Sequence, residues 1–85
     1  MKKLIQEVDV EGLDKLIGER ITLFCLNYIY TGDLLGVNED YVLLENAAVV
    51  YETGDFTSTK WKDAQPLPKA WYVMTRCIES FGVLK

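Results

Sequence analysis

Three segments constrain this chain more than anything else in it: Gly18-Glu-Arg-Ile-Thr-Leu23, Tyr30-Thr-Gly-Asp-Leu-Leu-Gly-Val37 and Tyr41-Val-Leu-Leu-Glu-Asn-Ala47. The first alternates apolar and polar residues with a period of two, the middle one carries Gly32 and Gly36, and the third opens a nearly continuous apolar run. Glycine inside a strand weakens it unless the backbone must bend or approach a neighbour closely. Two glycines four apart therefore predict a coiled, strongly bent antiparallel sheet that closes into a small barrel.

The rest of the chain is read around that meander. Ile21, Leu23 and Cys25 face one way from Arg20 onward, and Asn27 is the only turn residue before the next strand, so a tight hairpin is expected there. The second strand is predicted over Tyr28–Val37 and the third over Tyr41–Glu52, with the polar turn Asn38-Glu-Asp40 between them. A twelve-residue strand is long for a small barrel, and a bend or bulge is expected at Asn46 before Ala47 and Ala48. Its nearly continuous apolar run implies cover on both faces, one by the core and the other by a helix or a neighbouring subunit.

Residues 54–69 carry Thr57, Ser58, Thr59, Pro66 and Pro68 without periodicity, and are predicted as a loop between the third and fourth strands. Within it Trp61 has three readings: a satellite core residue, an interface anchor or a ligand stacker. Two last strands are expected as a pair over Trp71–Arg76 and Cys77–Phe81. Residues 1–17 read as a helical lead of one or two short turns, with a strand through Leu4–Val10 as the competing reading. The 85 residues thus make one all-β domain of five strands behind a short N-terminal helix, small enough that burying an edge against another copy is expected.

Composition narrows the function. With 13 acidic against 9 basic residues the net charge is −4, which does not favour gathering phosphate backbones. Histidine is absent, the two cysteines lie in apolar runs as free thiols, and no Cys-x-x-Cys or phosphate-cradling glycine loop occurs. No catalytic residue, metal site or cofactor is therefore expected, and the chain is read as a non-enzyme. No apolar run approaches the roughly 18 residues of a membrane helix, and Glu7, Asp9 and Glu11 interrupt the lead too early for a signal peptide. A cytoplasmic protein without membrane contact is the expectation.

Gly18, Ile21, Leu23, Tyr30, Gly32, Leu34, Val37, Asn38 and Leu44 together resemble the first sequence block of the Sm and Sm-like proteins. Val73–Phe81 stands where that family has its short second block. Leu44–Val49, Thr53-Gly-Asp-Phe56 and Ile78-Glu79 are similar to small uncharacterised Sm-like proteins of bacteria and phages. The resemblance implies a five-stranded bent barrel with an N-terminal helix. It also implies homo-oligomeric rings in which the fourth strand of one copy pairs with the fifth of the next.

Under that resemblance the turn after the second strand and the segment near Arg76 would contact RNA. Tyr28, Tyr30, Asn38, Asp40, Tyr41 and Arg76 are the candidate nucleotide-binding residues, the tyrosines as base stackers. Trp61, Trp71, Val73, Ile78 and Phe81 are the candidate interface residues. Asn38 takes the family's aspartate position in a shortened turn, and the Arg-Gly signature is missing, since Cys77 follows Arg76 and Glu79 follows Ile78. Those departures put an interaction or scaffold ring with an unidentified protein partner first, and an RNA-binding ring second.

Overall fold

The computed structural model describes residues 12–85. Its backbone is one bent antiparallel sheet of six strands behind a short 3-10 turn, Leu13–Leu16. The strands are β1 (Arg20–Cys25), β2 (Ile29–Val37), β3 (Tyr41–Glu52), β4 (Asp63–Pro66), β5 (Trp71–Met74) and β6 (Ile78–Gly82). The readings of residues 1–11, helical or strand, lie outside the described residues.

The meander forms as its periodicity dictates. β1 and β2 pair antiparallel from Arg20↔Asp33 to Phe24↔Ile29, and the three-residue link closes with Cys25 N–H donating to the Tyr28 carbonyl at 3.0 Å. β2 pairs β3 through two ladder slips. The first is at Gly32: Thr31 pairs Ala48 and Asp33 pairs Glu45, so Asn46 and Ala47 oppose one residue. Asn46 adopts φ 51 there, the left-handed conformation that Asn tolerates better than most side chains. This is the bend expected at Asn46. At the second slip Leu35, not Gly36, is the extra residue, and nothing lies within 4 Å of a side chain built at Gly36. Gly32 is the glycine the bend requires; Gly36 is not crowded.

Two expectations about the chain after β3 are corrected. The segment read as a loop contains β4, which pairs the distal half of β3 from Ala48↔Pro66 to Glu52↔Asp63. Asp-Ala-Gln-Pro has no strand periodicity of its own; the overhanging edge of the long β3 supplies its hydrogen-bond partners. The described residues therefore hold six strands rather than five. The last two strands also do not pair with each other. β5 ends at Met74, a 3-10 turn spans Thr75–Cys77, and β6 begins at Ile78. β5 pairs the proximal half of β3, while β6 pairs β1. The path β4-β3-β2-β1-β6 thus curls until the 3-10 turn links β6 at one end to β5 on the β3 edge, without a β5–β6 ladder among the described residues.

Inside the curl sits the core: Ile21, Leu23, Leu34, Val42, Leu44, Ala47 and Val73, with Leu13, Leu16, Tyr30 and Ile78 packed at its margin. The opposite face of the sheet is also covered. Thr22, Thr31 and Ala48 form one cross-strand row, Phe24, Ile29 and Val50 the next, and Thr22, Thr31, Ala48 and Val50 are buried. Among the described residues that cover comes from Phe56 of the β3–β4 loop, which packs edge-on to Phe24 at 6.4 Å, and from Lys85, which reaches Thr31.

Candidate functional site

The sequence candidates converge on the end of the sheet where β5 meets the β2–β3 turn. Asn38 is the hub of that turn. Its Oδ1 accepts from the backbone N–H groups of Asp40 and Tyr41, each at 2.8 Å, so it organises the chain locally. Thr75 ties the turn to the 3-10 segment: its hydroxyl donates to the Glu39 carbonyl at 2.6 Å and its N–H to that of Asp40 at 2.9 Å. Arg76 therefore lies one residue from the turn that holds Asn38, Asp40 and Tyr41. Among the described residues the ion pairs are Arg20–Asp33 and Lys62–Glu52, and Arg76 makes none with the nearby Asp40 or Glu79.

Tyr72 is the residue that sequence reasoning missed. It packs edge-on to Tyr41, ring centroids 5.0 Å apart, and borders two neighbouring hollows. One, of about 230 Å³, is lined by Gly36, Val37, Asn38, Tyr41, Leu43 and Tyr72. The other, of about 220 Å³, lies between β5 and the β1–β2 turn, where Tyr28 and Tyr30 meet edge-on at 6.2 Å beside Cys25, Met74 and Cys77. Among the described residues no charged side chain lines either hollow. Only the strand register, which sets Tyr72 opposite Leu43, carries the signal for Tyr72.

Burial suppresses ionisation here. The Cys25 thiol is pushed up to about 11, first by burial and then by the nearby Cys77. Burial, then Cys25 and Tyr28, also raise the Tyr30 phenol above its ordinary value. The hollows thus offer neutral rings, a neutral thiol and thioether, and the Asn38 amide. That surface suits planar, uncharged groups or apolar side chains. Among the described residues no cluster of three or more Asp, Glu or Cys is placed to hold a metal, and no helix is long and apolar enough to cross a membrane.

The candidate interface residues separate. Trp71 and Phe81 are exposed on β5 and β6, while Val73 is 4% exposed and part of the core. Ile78 is half-buried against that core. Trp61 is half-buried in the β3–β4 loop, its ring 4.7 Å from the Lys85 ammonium. Fold and site define a small, single-sheet, all-β domain with an aromatic, uncharged groove at one end. No protein-family model matches the chain, and no curated protein matches it.

Proposed function

We propose that this domain is a self-associating Sm-like interaction protein whose copies join edge to edge in a ring, the ring surface then serving as a scaffold for a protein partner. One observation carries the reading. β5 and β6 end the curl on opposite sides, and the outer edge of each is unpaired among the described residues. Beside those edges Trp71, Tyr72, Met74 and Phe81 are exposed. An unpaired edge leaves N–H and C=O groups as a template for another strand, and a closed ring satisfies every edge with one repeated interface. The resemblance to Sm-like proteins names the same two strands as partners. The acidic balance favours a protein partner over a phosphate backbone.

Native mass spectrometry of the full chain tests this. The expected result is a multiple of the protomer mass that falls when Tyr72→Lys and Phe81→Lys are introduced together. A protomer mass at micromolar concentration overturns it.

A second reading, an RNA-binding ring, is favoured by the Thr75 tie that sets Arg76 beside the Asn38 turn and by the Tyr41–Tyr72 pair at that spot. Short oligo-U and oligo-A strands, titrated at low salt and at about 0.3 M salt, decide it. Binding that weakens with salt and with Arg76→Ala or Tyr41→Ala supports RNA; flat titrations remove it.

A further inference from the structure

Away from the groove, Lys85 makes an arrangement that neither reading uses. Its Nζ donates to the backbone carbonyls of Thr53, Asp55 and Lys60 at 3.1, 2.7 and 3.0 Å, which occupies all three ammonium N–H bonds. The Trp61 ring lies 4.7 Å from the same nitrogen. The Lys85 carbonyl accepts from the Thr31 hydroxyl at 3.3 Å. One residue thus fastens the strap that follows β6 both to the β3–β4 loop and to the covered face of the sheet.

Apart from the edge-on packing of Phe56 on Phe24, the loop has little else to order it. Its own bonds are local: the Ser58 N–H to the Asp55 carbonyl, the Thr57 N–H and hydroxyl to Asp55 Oδ1, and the Lys60 N–H to the Ser58 hydroxyl. At its neck Gly54 takes φ 68 and a side chain there would come within 3.1 Å of Lys62 Cβ, so the two arms touch. The exposed Lys62–Glu52 pair at the neck contributes little. Beneath loop and strap lie Thr22 and Thr31, both fully buried, and the Thr22 hydroxyl has no hydrogen-bond partner among the described residues.

We propose that Lys85 and the β3–β4 loop form an ammonium latch: fastened, it holds loop and strap over the Thr22–Thr31 face; released, both lift together while the core of the sheet stays folded. The positive charge is what fastens it. A cation is matched to three carbonyl oxygens and an indole face, and a neutral side chain of the same length leaves those carbonyls without their donor. The latch is a local opening unit with its own free energy, separate from global unfolding.

Trypsin reads the latch directly, because Lys60, whose carbonyl the ammonium holds, is itself a cleavage site. Native full-length chain is digested as wild type, Lys85→Met and Lys85→Arg, and cleavage after Lys60 is compared with cleavage after Arg20 in β1. Lys85→Met is expected to speed cleavage after Lys60 about tenfold or more, the scale of lost charge-assisted hydrogen bonds, while cleavage after Arg20 is unchanged. Lys85→Arg falls between, since the planar guanidinium cannot aim three donors at one cage. Equal cleavage after Lys60 in wild type and Lys85→Met overturns the proposal, and so does acceleration at both sites in step. A variant-free measurement stands beside it: limited acylation of wild type with an N-hydroxysuccinimide ester should modify Lys85 about tenfold more slowly than Lys60 and Lys62. Equal rates also overturn it.

Discussion

Asn46 donates its side-chain amide to the Asp33 carboxylate at 2.9 Å, across the point where β3 carries its extra residue. Arg20 closes the cluster by donating to Asp33 at 3.2 Å and to the Asn46 carbonyl at 2.9 Å. The bulge is therefore held by three side chains from three strands. It is also where β3 changes partners, from β5 on one side of Asn46 to β4 on the other.

Asn46 serves both backbone and carboxylate, and two substitutions separate the roles. Asn46→Gly keeps the left-handed backbone and loses the amide; Asn46→Ala loses both and should cost about 1–2 kcal/mol more. The amide of Asn46, followed by Arg20, holds the Asp33 carboxyl below its ordinary 3.8. A depressed folded value means that this stabilisation is complete above the unfolded value and is lost as pH falls through the folded one. Carboxyl NMR titration should therefore show Asp33 moving up toward its ordinary value in Asn46→Ala.

Gly32 and Gly36 should respond oppositely to alanine. A Cβ at Gly32 would stand 3.0 Å from Leu44 Cβ and 3.2 Å from both Ala47 Cα and the Glu45 carbonyl oxygen. Backbone atoms at a bulge do not step aside, so Gly32→Ala should destabilise by about 1–3 kcal/mol. Gly36→Ala meets nothing and should be neutral or stabilising by up to about 1 kcal/mol. Urea denaturation of the two variants checks the pair.

Thr22 and Thr31 face each other across β1 and β2, both fully buried, with unequal hydroxyls. The Thr31 hydroxyl donates to the Ile21 carbonyl at 3.0 Å and reaches Lys85, so Thr31→Val should lose about 1 kcal/mol. The Thr22 hydroxyl has no partner among the described residues, so Thr22→Val should hold stability or raise it by about 1 kcal/mol. Thermal unfolding should show a lowered midpoint for Thr31→Val and an unchanged or raised one for Thr22→Val.

Cys25 should alkylate slowly near neutrality, because burial keeps its thiol protonated up to about 11. A site-resolved pH–rate profile should inflect near that value rather than at the ordinary 9.0. Cys77→Ser removes the second cause and should shift the inflection down.

Trp61→Ala should leave the assembly mass unchanged while loosening the β3–β4 loop, because its ring is engaged by Lys85 of the same chain. Native mass spectrometry beside tryptic digestion reads both effects. A lower mass would instead make Trp61 an anchor between copies.

The strands of the meander were legible because Ile21, Leu23 and Cys25 recur with the period of a strand in β1 and because β3 is a nearly continuous run of apolar residues. Asn46 was legible as a bend because few side chains accept its backbone. β4 was not, since Asp63–Pro66 borrows its structure from the β3 edge. Val73, named for an interface, lies in the core, and Tyr72, not named, borders both hollows; β5 is apolar or aromatic at all four positions, and only its pairing with β3 fixes which face turns inward.

By itself, then, the sequence determined the local matters: an all-β chain, the hairpin at Asn27 and the bulge at Asn46. These follow from backbone sterics and side-chain period, which act over a few residues. The tertiary structure alone decided which strands stay at the edges, that Tyr41 and Tyr72 meet, and that Lys85 closes over Trp61. Those depend on contacts between residues 24 to 60 positions apart, whose geometry exists only once the sheet has curled.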